Sequence, residues 1–150
     1  MKKRKSWKLP IDPCPASRPR VGRWGAYYSG KYKDFMDQSE LVVGALLENH
    51  APFEVPLEVW VTFHIPRPKS NTDLYPINQR TGDIDNHIKS VLDAFNPDTG
   101  AKAKRKAGRG QILSPGLWSD DSLIQTIHAT KVWAAPDRVG WIEIAVKEKV

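Results

Sequence analysis

The side chains best suited to chemistry in this chain are aspartates in two short segments. Asp83-Ile-Asp-Asn-His-Ile-Lys89 sets two acids two positions apart and follows them with a lysine four residues past the second. Leu117-Trp-Ser-Asp-Asp-Ser122 adds an adjacent pair further along. If the segments meet, their carboxylates form an anionic, oxygen-rich point of the kind Mg²⁺ prefers. Such a point suits phosphodiester hydrolysis, in which substrate and attacking hydroxide are both anions that a divalent cation can neutralise. A lysine one turn beyond the acids can then balance charge that builds on the phosphate in the transition state. Each piece also has a structural explanation. Acids in a first helical turn are favoured by the macrodipole and by capping, Asp120-Asp121 fits a turn, and Asp85 with Lys89 fits an ordinary surface pair. Neither His64 nor His87 has a metal-spaced partner in its segment, and His87 is expected to be exposed.

These residues need elements to position them. Ser6–Ile11 reads as a short first strand, after which prolines at 13, 15 and 19 enforce an extended path. Gly22, Gly25 and Gly30 then predict loop conformations, with Trp24, Tyr27 and Tyr28 interleaved among Arg18, Arg20 and Arg23. From about Lys33 to Asn49, Phe35, Ser39, Val42, Val43, Leu46 and Leu47 recur at helical spacing. Leu57–Ile65 alternates strictly, which predicts a strand with one buried face. A second helix is expected from Asp83 to Phe95, with Ile84, Ile88, Val91, Leu92 and Phe95 as its core stripe. Asn96–Gly116 lacks apolar periodicity and reads as a long basic loop. Strands over Leu123–Trp133 and Gly140–Lys147 close the chain. The order β-α-β-α-β-β predicts an α/β (α+β) fold in one domain over residues 1–150, a mixed sheet of about four strands with two helices.

Charge divides along the chain. Residues 1–33 carry ten Lys/Arg against one acid, residues 34–100 carry four against eleven, and residues 101–150 carry nine against five. Basic ends around an acidic middle suit a polyanion, because each neutralised phosphate releases condensed counterions. The basic candidates for nucleic-acid contact are Arg18, Arg20, Arg23, Lys102, Lys104, Arg105, Lys106 and Arg109, together with the N-terminal run from Lys2 to Lys8. Arginine's planar fork matches phosphate oxygens, so Arg18 and Arg20 read as a phosphate clamp. Cys14 is the only cysteine, which excludes an intramolecular disulfide and a cysteine-cluster zinc site. No apolar run is long enough to span a bilayer, and prolines interrupt the basic N-terminus where a signal peptide's apolar region belongs. A cytoplasmic protein with no membrane partner is expected.

Taken together, Ser17-Arg-Pro-Arg20, Asp83-Ile-Asp-Asn-His-Ile-Lys89 and Leu117-Trp-Ser-Asp-Asp121, in their strand–helix context, resemble the RusA-type Holliday junction resolvases of bacteria and prophages. The D-x-D-N-x-x-K block followed by W-x-D-D is specific in combination, although no single piece is. The resemblance implies a homodimeric crossover junction endodeoxyribonuclease that needs Mg²⁺, with Mn²⁺ able to substitute, and that nicks two strands of a four-way junction. It implies Asp83, Asp85 and Asp121 as the metal-holding catalytic carboxylates and Lys89 as the catalytic lysine, with Asn86 and Asp120 supporting them. The basic segment 96–116 departs from the short turn of compact members. Two other readings compete: a non-catalytic basic DNA- or RNA-binding protein, and a general or flap nuclease of the same fold. An aspartyl phosphatase fits less well, since its D-x-D would follow a hydrophobic strand, whereas here it opens a helix.

Overall fold

In a computed structural model, which describes residues 3–28 and 30–149, the chain folds around β4 (Leu57–Ile65). Its alternation is realised without exception: Leu57, Val59, Val61, Phe63 and Ile65 are buried and the residues between them are half-exposed. Each fully buried aliphatic or aromatic side chain contributes about 1.5–3 kcal/mol, so this strand anchors the core. Four strands form the main sheet in the order β1-β6-β4-β5, where β1 is Lys5–Leu9, β5 is Ile124–Trp133 and β6 is Trp141–Glu148. β4 runs antiparallel to β6 and parallel to β5. Parallel neighbours require a crossover, and here it contains α2 (Ile84–Phe95) and α3 (Gly100–Gly108). α1 (Gly30–Leu46) packs against α2 and β1. The core joins Leu9, Phe35, Val43, Val91 and Phe95 to the inner faces of β4 and β6.

The expected β-α-β-α-β-β order therefore holds for the main sheet, with two additions. A small antiparallel hairpin, β2 (Arg20–Gly22) with β3 (Gly25–Tyr27), occupies the stretch expected as loop. A third helix, α3, occupies much of the segment expected as an irregular basic loop. α3 gave no apolar signal because it docks through charge. Lys106 is buried and ion-paired with Asp98, both side chains being 1% exposed, and its Nζ also donates to Glu40 O at 3.2 Å. Arg105 pairs with the buried Glu40 carboxylate, and Asp98 accepts the Ser114 amide at 2.7 Å. Burial alone would raise the Asp98 carboxyl, but Lys106, the Ser114 amide and Lys102 together hold it below its ordinary value.

The stripe on α2 is also rotated from expectation. Its buried residues are His87, Ser90, Val91, Ala94 and Phe95, while Ile84 is 38% exposed and Ile88 and Leu92 are half-buried. Two polar residues face inward because each finds a backbone partner: Ser90 Oγ donates to His87 O at 2.8 Å, and His87 Nε2 meets Thr81 O at 2.5 Å.

Removing one member of a buried ion pair costs roughly 3–5 kcal/mol. Lys106→Ala should therefore lower stability in urea titration by about 3 kcal/mol and reduce helical circular dichroism as α3 comes free. A change below about 1 kcal/mol would show that the pair does not hold α3.

Candidate active site

Asp83 is the N-cap residue of α2, in extended conformation, yet its side chain makes no capping hydrogen bond. Asp85 lies in the first turn and, among the described residues, accepts the neighbouring Asn86 amide at 2.9 Å. Both side chains are exposed, and among the described residues no Lys, Arg or His forms an ion pair with either. Two carboxylates two positions apart thus meet the helix N-terminus without an ion pair among the described residues, and the macrodipole favours their charge.

The entry to α2 is built tightly. Gly82 has φ +83°, and a Cβ there would lie 2.6 Å from Pro15 Cγ, so only glycine fits where the proline path crosses the helix start. Ala16 N–H donates to Asn86 O at 2.9 Å, which ties that path to the motif asparagine and leads the chain directly into Ser17 and Arg18. The 3₁₀ turn Gln79–Thr81 is held from below by His87 and from the sheet by Lys131, whose Nζ donates to Gly82 O at 2.8 Å and Thr81 Oγ1 at 3.3 Å. Lys131 is a cation beside the acids that sequence reasoning missed. Its signal was its place on β5, paired with Phe63 at a position that otherwise faces the core. Lys89 is exposed on α2 and pairs with Asp93 at 3.4 Å.

Asp121 is positioned by a separate chain of contacts. The buried Trp118 donates Nε1–H to Asn96 Oδ1 at 2.6 Å, and Asn96 Nδ2–H donates to Asp121 Oδ2 at 3.0 Å. Asp120 caps the 3₁₀ turn Asp121–Leu123 by accepting the Ser122 amide at 2.8 Å, and that hydrogen bond holds its carboxyl below its ordinary value. The two adjacent aspartates therefore differ in kind. Asp120 is used locally, whereas Asp121 is half-buried and held by one amide.

Asn96 is the C-cap of α2. Asp121 consequently sits at the opposite end of a twelve-residue helix from Asp83 and Asp85, a length of about 18 Å. Within one chain the three expected carboxylates do not converge, and among the described residues no group of three or more His, Cys, Asp or Glu could hold a metal ion. The reason is topological: β4 and β5 are parallel, so the helix between them holds the segment at its N-terminus apart from the segment beyond its C-terminus.

The basic candidates also divide. Arg18, Arg20 and Arg23 are exposed, as are Lys104 and Arg109 on or beside α3. Lys106, expected at a nucleic-acid surface, is buried against Asp98, and Arg105 is engaged by Glu40. Lys102 reaches Asp98 at 3.2 Å. Lys2, at the start of the N-terminal run, lies outside the described residues. His87 is buried rather than exposed, and its Nδ1 has no hydrogen-bond partner among the described residues.

Burial pushes the His87 imidazole below its ordinary pKa, assisted by Lys131 and opposed by its bond to Thr81 and by Asp83. The unfolded chain regains the ordinary value, so below about pH 6.5 it binds a proton that the folded chain does not. Stability should therefore fall as the pH drops from 7 to 5, and His87→Gln should flatten that slope in thermal melts recorded in EDTA. An unaltered slope would assign the effect elsewhere.

A family model described as Endodeoxyribonuclease RusA matches residues 10–102. That span contains the arginine arm, Asp83, Asp85 and Lys89, and it ends before Asp121. A search of curated proteins returned no match.

Proposed function

The chain belongs to the RusA endodeoxyribonuclease family, and from that premise we propose that it is a Mg²⁺-dependent endonuclease of branched DNA, acting on four-way junctions as a homodimer. The observation that carries the metal assignment is the idle side chain of Asp83. It stands at the cap position without capping and, among the described residues, without an ion pair. Asp85, in the first turn, accepts the Asn86 amide and likewise forms no ion pair among them, which leaves carboxylate oxygens of both open to a ligand. Mg²⁺ is commonly held by one or two carboxylates with several waters retained, and this pair fits that need. When bound there, the cation supplies charge neutralisation and an acidified water. Asp83 and Asp85 orient it, and Lys131, fixed on Gly82 O, adds positive charge behind them. Lys89 can exchange Asp93 for a phosphate oxygen, since its existing pair is exposed and worth only a few tenths of a kcal/mol. Arg18, Arg20 and Arg23, with Lys104 and Arg109 on the far flank, are free to meet phosphates.

Dimerisation resolves the separation of Asp121. Ile84, Ile88 and Leu92 recur every four residues along α2 and are only partly covered. A two-fold axis near Ile88 would pack this stripe against its own copy, with the helices antiparallel and Ile84 facing Leu92 of the second chain. The same operation carries the Asp121 end of one chain to the Asp83 end of the other. The dimer would then hold two composite acidic sites for the two strands of a junction. Asn86 and Asp120 support these sites by fixing the backbone.

Asp83→Asn keeps the shape of the residue and breaks no capping bond, so melting should be unchanged. Cleavage of a synthetic four-way junction in Mg²⁺ should fall at least about a hundredfold, or roughly 2.7 kcal/mol, while junction affinity in EDTA stays equal or tightens as a repelling charge is lost. Near wild-type cleavage would end the assignment.

Composite sites also predict complementation. Asp85→Asn and Asp121→Asn proteins, each inactive, should regain nicking of one strand per junction when mixed, because the heterodimer restores one whole site. A mixture as dead as its parts would place all three acids in one chain's own site.

A further inference from the structure

The β2–β3 hairpin has an uncommon surface. Every residue from Ser17 to Tyr27 is exposed, Val21 to 87% and Trp24 to 92%. Trp24 forms the two-residue turn with Arg23, between Gly22 and Gly25, which pair in register. Gly25 takes φ +107°, a conformation that favours glycine, and a Cβ on Gly22 would come within 2.8 Å of the Tyr27 ring. The turn therefore has a defined shape, and that shape projects an indole into solvent. Arg23 sits 5.3 Å from the centre of that ring, and Arg18 and Arg20, both exposed, lie in the segment leading to the turn. The core gains nothing from this tryptophan. An indole left 92% exposed, with one arginine over its ring and two more exposed arginines in the segment leading to it, points to an external ligand that is both flat and anionic.

The position of the arm restricts the ligand further. It leaves the body at Ala16, which is buried and bonded to Asn86 beside Asp83 and Asp85. Arg23 lies seven positions beyond Ala16, a reach of at most about 25 Å, so the tip lies within several base steps of a phosphate bound at the acids. We infer that Trp24 is a branch-recognition wedge, stacking on a base exposed where DNA arms diverge while Arg18, Arg20 and Arg23 hold the flanking phosphates. Aromatic side chains stack on any base, since every base has a π-face. Insertion into an intact duplex must first unstack a base step, at a few kcal/mol, whereas a branch point offers bases that are already unstacked. The wedge thus discriminates branched from linear DNA by the unstacking it avoids. This inference rests on the proposal that the substrate is branched DNA.

The test uses full-length protein in EDTA, with a four-way junction carrying 2-aminopurine at the branch and a matched linear duplex. Binding of the unmodified protein should change the 2-aminopurine emission, and Trp24→Ala should abolish that change. Trp24→Ala should also weaken junction binding by about 5- to 150-fold, with less than a twofold effect on the duplex. Trp24→Tyr should retain most of the wild-type behaviour, and the melting temperature should not move, because Trp24 has no buried contacts to lose. Equal losses on both DNAs, unchanged junction affinity, or a wild-type protein without branch preference would overturn the inference. So would conversion to a monomer in sedimentation, which would make the hairpin a contact between copies. If the wedge signal persists while Mg²⁺ elicits no cleavage, the nuclease assignment fails and the wedge stands.

Discussion

β4 uses both of its edges, antiparallel to β6 and parallel to β5, and the parallel edge constrains everything around the acids. A parallel neighbour cannot be reached by a tight turn. The chain must climb back across the covered face of the sheet, and α2 is the element that does so. Its N-terminus then lies where β4 ends and its C-terminus where β5 begins. Asp83 and Asp85 belong to the first place and Asp121 to the second. The separation of the acids follows from strand direction, and any agent that reunites them must come from outside the single chain.

Charge plays two roles here, and burial separates them. Lys106, Lys102 and Arg105 form the inner side of α3, where Asp98 and Glu40 neutralise them. A buried cation survives only with a partner and satisfied hydrogen bonds, so these residues hold the helix on the body and are not free for a ligand. Lys104 and Arg109, on the same short segment, remain exposed. The opposite face of the sheet shows a milder form of the same pairing. Arg4 lies 3.6 Å over Trp60, which stacks on His128, while Lys8 approaches Trp141, which stacks on His64. Aromatic and basic side chains there cover one another rather than stand free. The hairpin differs in that its indole, with Arg23 5.3 Å from the ring centre, remains almost wholly exposed.

Side chains that look alike in sequence also diverge through one or two hydrogen bonds. Asp120 and Asp121 are neighbours, but one caps a turn and the other receives an amide from Asn96, itself gripped by Trp118. Asp83 occupies a capping position and leaves it unused. Hydrogen bonding to the ionised form is what draws a carboxylate into local structure, and its absence at Asp83 leaves that charge for another partner.

Period and composition by themselves determined the four strands of the main sheet, the two long helices and the motif segments, but not the β2–β3 hairpin, whose stretch reads as loop. Alternation over Leu57–Ile65 reports burial directly, because apolar side chains leave water where they can. Helical spacing over 33–49 and 83–95 located α1 and α2 but not the exact face each one buries. The acids stand out as candidates by their types and spacing, and Lys89 by its place one turn beyond Asp85. α3 was not legible, since it is held by ion pairs whose partners Glu40 and Asp98 lie elsewhere in the chain. Neither was the inward turn of His87, which depends on a carbonyl six residues away, nor Lys131 beside the acids, which depends on strand pairing. The distance between Asp121 and Asp83 was beyond any local signal. It is decided by the parallel register of two strands, a long-range hydrogen-bonding choice that no stretch of sequence contains.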